Sequence, residues 1–203
     1  ELGGNDPMLV CPDANLERAV NGAMWAGLQN SGQSCGGVER IYVHRDVYDP
    51  FIRLLKRRVE ALRQGPNTHH DVDIGAMCTE RQIATIQRQV EDALTKGATL
   101  LAQVKIDPAH ARANFYPVTV LTDVDHSMEL MREETFGPVL GVMKVDDMER
   151  AIELANEHSL GLTGSGWAGN TRRAVALGRR IPAGCGPATP APRWRWAGAS
   201  MPG

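Results

Sequence analysis

Cys35 lies in the stretch LQNSGQSCGGVERIYV, residues 28–43, where its neighbours Ser31, Gly32, Gln33, Ser34, Gly36 and Gly37 offer nothing apolar to pack against. A thiol so placed is built for access. Glycines on both sides let a ligand approach the backbone and leave N–H groups to face a developing oxyanion. An ordinary thiol is only about 3% ionised at neutral pH, so a nucleophilic role needs an activating neighbour, and composition alone favours an inert loop cysteine. Two further stretches carry usable groups. ELGGNDP, residues 1–7, sets the carboxylate of Glu1 before two glycines, although a terminal glutamate is ordinarily just solvated. EETFGPVL, residues 133–140, puts Glu133 and Glu134 before the ring of Phe136 and a Gly-Pro turn. That shape presents a carboxylate and an aromatic to a cleft, or simply ends a helix and turns into a strand.

Other candidates fall away. GSGWAG, residues 164–169, satisfies the spacing of a dinucleotide-binding turn, but no Asp or Glu follows Glu157 to hold a ribose, so a glycine-rich strand and turn is the better account. His69 and His70 are adjacent, and their side chains diverge as in a solvated loop. Cys11, Cys35, Cys78 and Cys185 are far apart, with no C-x-x-C pair. Reduced thiols and no bound metal are expected, with Cys11 and Cys78 in the core.

These groups have to be carried by regular elements. The apolar run DPMLV is followed by a helix over residues 14–30 opened by Pro12 and Asp13, with Leu16, Val20, Met24 and Leu28 at helical spacing, ended by Ser31 and Gly32. RIYVH is a strand, and residues 47–63 form a second amphipathic helix stopped by Gly65-Pro66. A helix over 80–97 closed by Gly97 leads to strands at TLL and YPVTVL, then to a short helix, a loop and a strand across 127–145. Helices over 146–158, capped by Asp146, and over 171–181 complete the pattern. This alternation predicts an α/β fold with a largely parallel sheet covered by helices on both faces.

The 203 residues, 42% hydrophobic and 23% charged with a formal net charge of -2, suffice for one domain with a real core. Charges of both signs are interleaved, which points away from nucleic acid and anionic membranes. No apolar run is long enough to span a bilayer and no leader pattern opens the sequence, so a soluble, cytoplasmic protein acting on small molecules is expected. After Gly184 the composition shifts to Gly, Pro, Ala, Arg and Trp with neither alternation nor helical period.

Taken together and in this order, ELGGNDP, GQSCGGVERIYV and EETFGPVL resemble the aldehyde dehydrogenase superfamily, over residues 1 to about 184. The resemblance implies the catalytic domain of an NAD- or NADP-dependent enzyme whose full-length relatives are homo-oligomers. Cys35 matches the nucleophile that attacks an aldehyde, giving a thiohemiacetal and, after hydride transfer, a thioester. Glu1 matches the base that activates the hydrolytic water. Glu134 matches the glutamate that holds the nicotinamide ribose, and Phe136 the ring at that end of the cofactor. The nucleotide-binding domain, the oxyanion-hole asparagine and the Pro-Phe-Gly-Gly and subunit-joining segments of the family have no counterpart in the sequence. The expected organisation is therefore a partial catalytic domain, 1–184, truncated at both ends, and an aberrant or disordered tail, 185–203, of the kind a shifted reading frame produces. The isolated chain is expected to be inactive. The alternative is a non-catalytic, degenerate fragment that keeps the fold.

Overall fold

The computed structural model describes residues 3–66, 68–69, 71–107, 114–157, 160–181 and 196–198. Seven strands, β1 (Asp6–Val10), β2 (Val38–His44), β3 (Thr99–Gln103), β4 (Thr119–Thr122), β5 (Val139–Val145), β6 (Ser165–Trp167) and β7 (Trp196–Gly198), form one sheet in the order β3-β4-β5-β2-β1-β6-β7. Every pairing is parallel except β3 with β4. The α/β architecture expected from the sequence is the one observed. Parallel strands at the centre of a sheet are covered on both faces, so β1 is buried at every position. Successive side chains alternate between two cores. Met8, Val10, Ile41, Val43, Leu140 and Val142 pack with α1 (Leu16–Leu28) and α2 (Arg45–Glu60). Leu9, Tyr42 and Val139 pack with α3 (Glu80–Thr95), α4 (Met148–Asn156) and α5 (Thr171–Gly178).

Helix starts are set by side-chain caps, and these shift the expected boundaries. The α1 cap is Asn15, which accepts from the Arg18 amide at 3.1 Å, so the helix begins after Pro12 and Asp13 rather than at them. His44 caps α2 through Nδ1, so the helix starts at Arg45, two residues before its expected start. In α4 the cap is Asp147, accepting from the Arg150 amide at 2.8 Å, while Asp146 points to solvent. Gly97 closes α3 at φ +103°, as its position predicted. β4 starts only at Thr119, beyond Pro117, which has no amide hydrogen to pair. No helix among the described residues is long and apolar enough to cross a membrane.

One irregularity bears on the site. Asp6 is opposite Val38 but Pro7 is opposite Arg40, so Glu39 is an extra residue at a bulge in β2.

Candidate active site

Four neighbouring parallel strands, β5, β2, β1 and β6, are entered from the same edge of the sheet. The segments that enter them contain Gly3 to Asn5, Gln33 to Gly37, Glu134 to Pro138 and Leu160 to Gly164. Motifs more than a hundred residues apart in sequence are thereby placed side by side.

The Cys35 loop starts from three successive residues with left-handed backbone: Asn30 at φ 52°, Ser31 at 59° and Gly32 at 72°. Asn30 and Gln33 clamp this turn, the Asn30 side chain donating to the Gln33 carbonyl and the Gln33 side chain to the Asn30 carbonyl, each at 3.0 Å. Gln33 also accepts from the Cys78 amide at 2.8 Å, and Ser31 Oγ donates to the Gly75 carbonyl at 3.0 Å. Glycine is required at position 32, because a Cβ there would come within 2.1 Å of the Gly137 carbonyl oxygen. The EETFGPVL loop thus packs directly on the cysteine-bearing one. Cys35 itself is half-buried and reduced.

Gly4 joins the remaining motif to both. A Cβ on Gly4 would sit 2.0 Å from the Cys35 carbonyl oxygen, and the Gly4 amide donates to Glu134 Oε1 at 3.0 Å. On the far side of this junction the Glu39 carboxylate accepts from the Phe136 amide at 2.8 Å, the Thr135 amide at 2.9 Å and Asn5 Nδ2 at 2.9 Å. Burial pushes Glu39 up to about 8, against the lowering effect of the Thr135 and Phe136 amides. Asp6 is also raised by burial, opposed by its bonds from the Thr163 hydroxyl and the Leu162 amide. Arg40, fully buried, donates to the Asn5 carbonyl and to Tyr42 Oη, fixing the same segment from β2.

A cleft of about 470 Å³ opens beside the cysteine. Its walls include Trp25 of α1, Gln29 just after it, Thr163 and Trp167, with Ser34 and Gly36, the two neighbours of Cys35. The Trp167 indole closes down on α1 because position 22 is glycine, where a Cβ would stand 2.1 Å from the ring.

The aldehyde dehydrogenase family, represented by its sequence model, matches residues 1–187. The chain belongs to this family. Succinate-semialdehyde dehydrogenase [NADP(+)] of Mycobacterium avium (strain 104) is 42% identical over 167 residues, covering 82% of this chain and 35% of that protein. Putative succinate-semialdehyde dehydrogenase [NADP(+)] 2 of Mycobacterium ulcerans is 37% identical over 202 residues, covering 100% and 39%. Among solved structures, NADP-dependent glyceraldehyde-3-phosphate dehydrogenase from Bacillus halodurans C-125, complexed with NADP, superposes with a TM-score of 0.83 at 36% identity, covering 91% of this chain and 38% of that one. The chain therefore spans between a third and two fifths of the length of these relatives.

Within this family member the structure brings Cys35, Glu134 and Phe136 into one neighbourhood, linked through Gly4 and the contact of Gly32 with Gly137. Glu1 lies outside the described residues, as does Cys185. Cys11 is buried as expected, and burial pushes its thiol up to about 11. Cys78 is not in the core: it is exposed, on the loop just before Thr79, the cap of α3. GSGWAG forms β6 and the turn after it: Gly164 enters the strand at the end where Cys35 lies, and only the turn at Ala168 and Gly169 is at the opposite end. A Cβ on Gly169 would meet the Asp13 carboxylate at 2.9 Å, an unsuitable neighbour for a phosphate. Glu39 and Asn5 escaped the sequence reading. The available signal was the pair Glu39-Arg40 just before the apolar run Ile41 to Val43, which a buried parallel strand tolerates only when both charges have partners.

Proposed function

We propose that this chain carries the nucleophile-bearing half of an NAD(P)-dependent aldehyde dehydrogenase, part of a longer enzyme that oxidises a small aldehyde to a carboxylic acid. The observation that carries this reading is the junction at Gly4, which seats against the Cys35 carbonyl while its amide donates to Glu134. The nucleophile and the carboxylate for the cofactor ribose are held by one residue. The family membership and the NADP(+) in the names of its relatives support the cofactor class.

Cys35 attacks the aldehyde carbon as thiolate, and the carbonyl oxygen takes up the negative charge to give a thiohemiacetal. The bound nicotinamide supplies a hydride acceptor, leaving a thioester on Cys35. Glu1 takes a proton from water, which attacks the thioester, and the acid leaves as the thiol is restored. Glu134 matches the ribose-holding glutamate by the resemblance, and the Gly4 amide, donating to its Oε1 at 3.0 Å, fixes its carboxylate beside the Cys35 loop. The Phe136 ring is half-buried beside it and offers an apolar surface to the nicotinamide end. The aldehyde substituent lies in the cleft between α1 and the segment containing Thr163 and Trp167. The isolated chain is expected to leave aldehydes unoxidised, because Glu134 and Phe136 grip only one end of a dinucleotide.

The test needs no cofactor. Incubating the chain with p-nitrophenyl acetate should acylate Cys35, identified by mass spectrometry, and Cys35→Ser should abolish the stoichiometric release of p-nitrophenol. Acylation at Cys78 or Cys11 with Cys35 untouched would refute the assignment.

A further inference from the structure

Glu39 lies in the Cys35 motif, four residues beyond the thiol, but is not among the four positions that the proposed function uses, Cys35, Glu1, Glu134 and Phe136; its carboxylate touches both of the other motifs. It is 4% exposed. Oε1 accepts from the Phe136 amide at 2.8 Å and the Thr135 amide at 3.1 Å, while Oε2 accepts from the Thr135 amide and from Asn5 Nδ2, both at 2.9 Å. The carbonyl side of the same loop is held from α3, where Gln89 donates to the Glu134 carbonyl at 3.2 Å and Gln82 to the Thr135 carbonyl at 2.7 Å. Three side chains thus fix four consecutive backbone groups. The loop needs such fixing, because Phe136 has φ 47°, a left-handed conformation disfavoured for an aromatic residue.

The strand is built to aim this carboxylate. Glu39 is the extra residue of the β-bulge opposite Asp6 and Pro7, and bulges re-aim side chains where regular alternation would place them elsewhere. A buried acid is costly unless donors surround it, and a residue serving only to fill space would be apolar.

We propose that Glu39 is a positioning residue for the cofactor, holding the backbone of residues 134–136 so that Glu134 and Phe136 meet the nicotinamide ribose. This rests on the reading of Glu134 and Phe136 given above and adds to it the group that orients them.

The experiment compares the full chain with Glu39→Ala and Glu39→Gln. Amide exchange is followed by NMR at Thr135 and Phe136, with Leu121 and Val142 as core controls. Binding of nicotinamide mononucleotide and the rate of Cys35 alkylation without nucleotide are measured on the same samples. Alanine removes both acceptor oxygens, so exchange at Thr135 and Phe136 should rise about tenfold or more while the core amides hold. Glutamine keeps the shape and one oxygen, so one of the two amides should loosen and the other stay protected. If the alanine variant does not fold, the glutamine variant decides alone. Nucleotide affinity should fall by about tenfold in the alanine variant with Cys35 alkylation unchanged. Unchanged exchange at both amides in the glutamine variant, or an equal rise at Leu121 and Val142, overturns the proposal. Failure of the unaltered chain to bind nicotinamide mononucleotide overturns instead the cofactor reading of Glu134 and Phe136, and with it the functional half of this inference.

Discussion

Gly4→Ala tests the junction on which the site depends. Position 4 does not have a left-handed backbone, so alanine is conformationally acceptable there and the perturbation is steric. The new Cβ would lie 2.0 Å from the Cys35 carbonyl oxygen and 3.1 Å from its carbon, against the 3.4 Å at which ordinary contact begins. Both are backbone atoms of a loop already clamped by Asn30 and Gln33, so neither yields cheaply. Overpacking of this kind costs about 1–3 kcal/mol. If the segment retreats instead, the Gly4 amide leaves Glu134, and loss of a hydrogen bond to a charged group costs about 1.5–3 kcal/mol. At about 2–4 °C per kcal/mol for a chain of this size, the melting temperature should fall by about 2–12 °C whichever of the two occurs. Cys35 should also be acylated more slowly by p-nitrophenyl acetate, because its loop has moved relative to the cleft. Gly75→Ala is the control, since a Cβ there meets nothing within 4 Å. A Gly4→Ala chain that melts with the unaltered one and acylates at the same rate, or a Gly75→Ala chain that is equally damaged, would refute the account of the junction.

Limiting iodoacetamide on the folded chain should modify Cys78 and Cys35 well before Cys11, whose thiol is buried and raised to about 11; peptide mass spectrometry reads the order, and early labelling of Cys11 would contradict the packing of β1. Glu39 is held at about 8 against an ordinary 4.5, so between these values the native chain keeps a proton that the unfolded chain has lost, and stability should fall as pH rises through that window. Unfolding free energies from urea titrations at pH 5, 6.5 and 8 should therefore decline by up to about 1.4 kcal/mol per pH unit, with a flatter slope in Glu39→Gln. Gly22→Ala drives a methyl into the Trp167 indole and displaces the ring from α1, where it walls the cleft. Acylation by a long-chain p-nitrophenyl ester should then change several-fold relative to the acetate, and an unchanged ratio would show that the cleft does not receive the acyl chain.

Much of this fold is written locally. The helices carry apolar residues at helical spacing and the inner strands are continuous apolar runs, so element type and order follow from short windows. Cys35, Glu134 and Phe136 stand out as candidates because Cys35 sits among Gly, Ser and Gln, and Glu134 and Phe136 beside a Gly-Pro turn, settings that make poor cores, while the roles proposed for them come from the resemblance. Glu39 is not legible, since its role depends on the bulge opposite Asp6 and Pro7, which exists only in the pairing of β1 with β2. The exposure of Cys78 depends on where α3 docks, with Gln82 and Gln89 reaching the far loop. Helix starts shift by one to three residues because several capping residues, Pro12, Asp13 and Asn15 before α1 and Asp146 and Asp147 before α4, stand in succession and only geometry selects among them.

The placement of the site follows from strand direction rather than from any one motif. In open parallel α/β sheets ligands usually bind beyond the carboxyl ends of the strands, where crossover helices begin. Here the reactive loops lie at the amino ends of β5, β2, β1 and β6, and α1 arrives with its carboxyl end just before Cys35. A helix carboxyl end repels anions, so the edge that carries the thiol gains no help from α1 in holding a pyrophosphate. The turn after β6, where GSGWAG mimics a phosphate loop, lies at the other end of the sheet beside Asp13. The glycine contacts at the amino ends of the strands bring Glu134 and Phe136 to the loop of Cys35, so under the roles proposed for these residues the nicotinamide end of a cofactor would meet the thiol there and its phosphates would be left to groups outside the sheet.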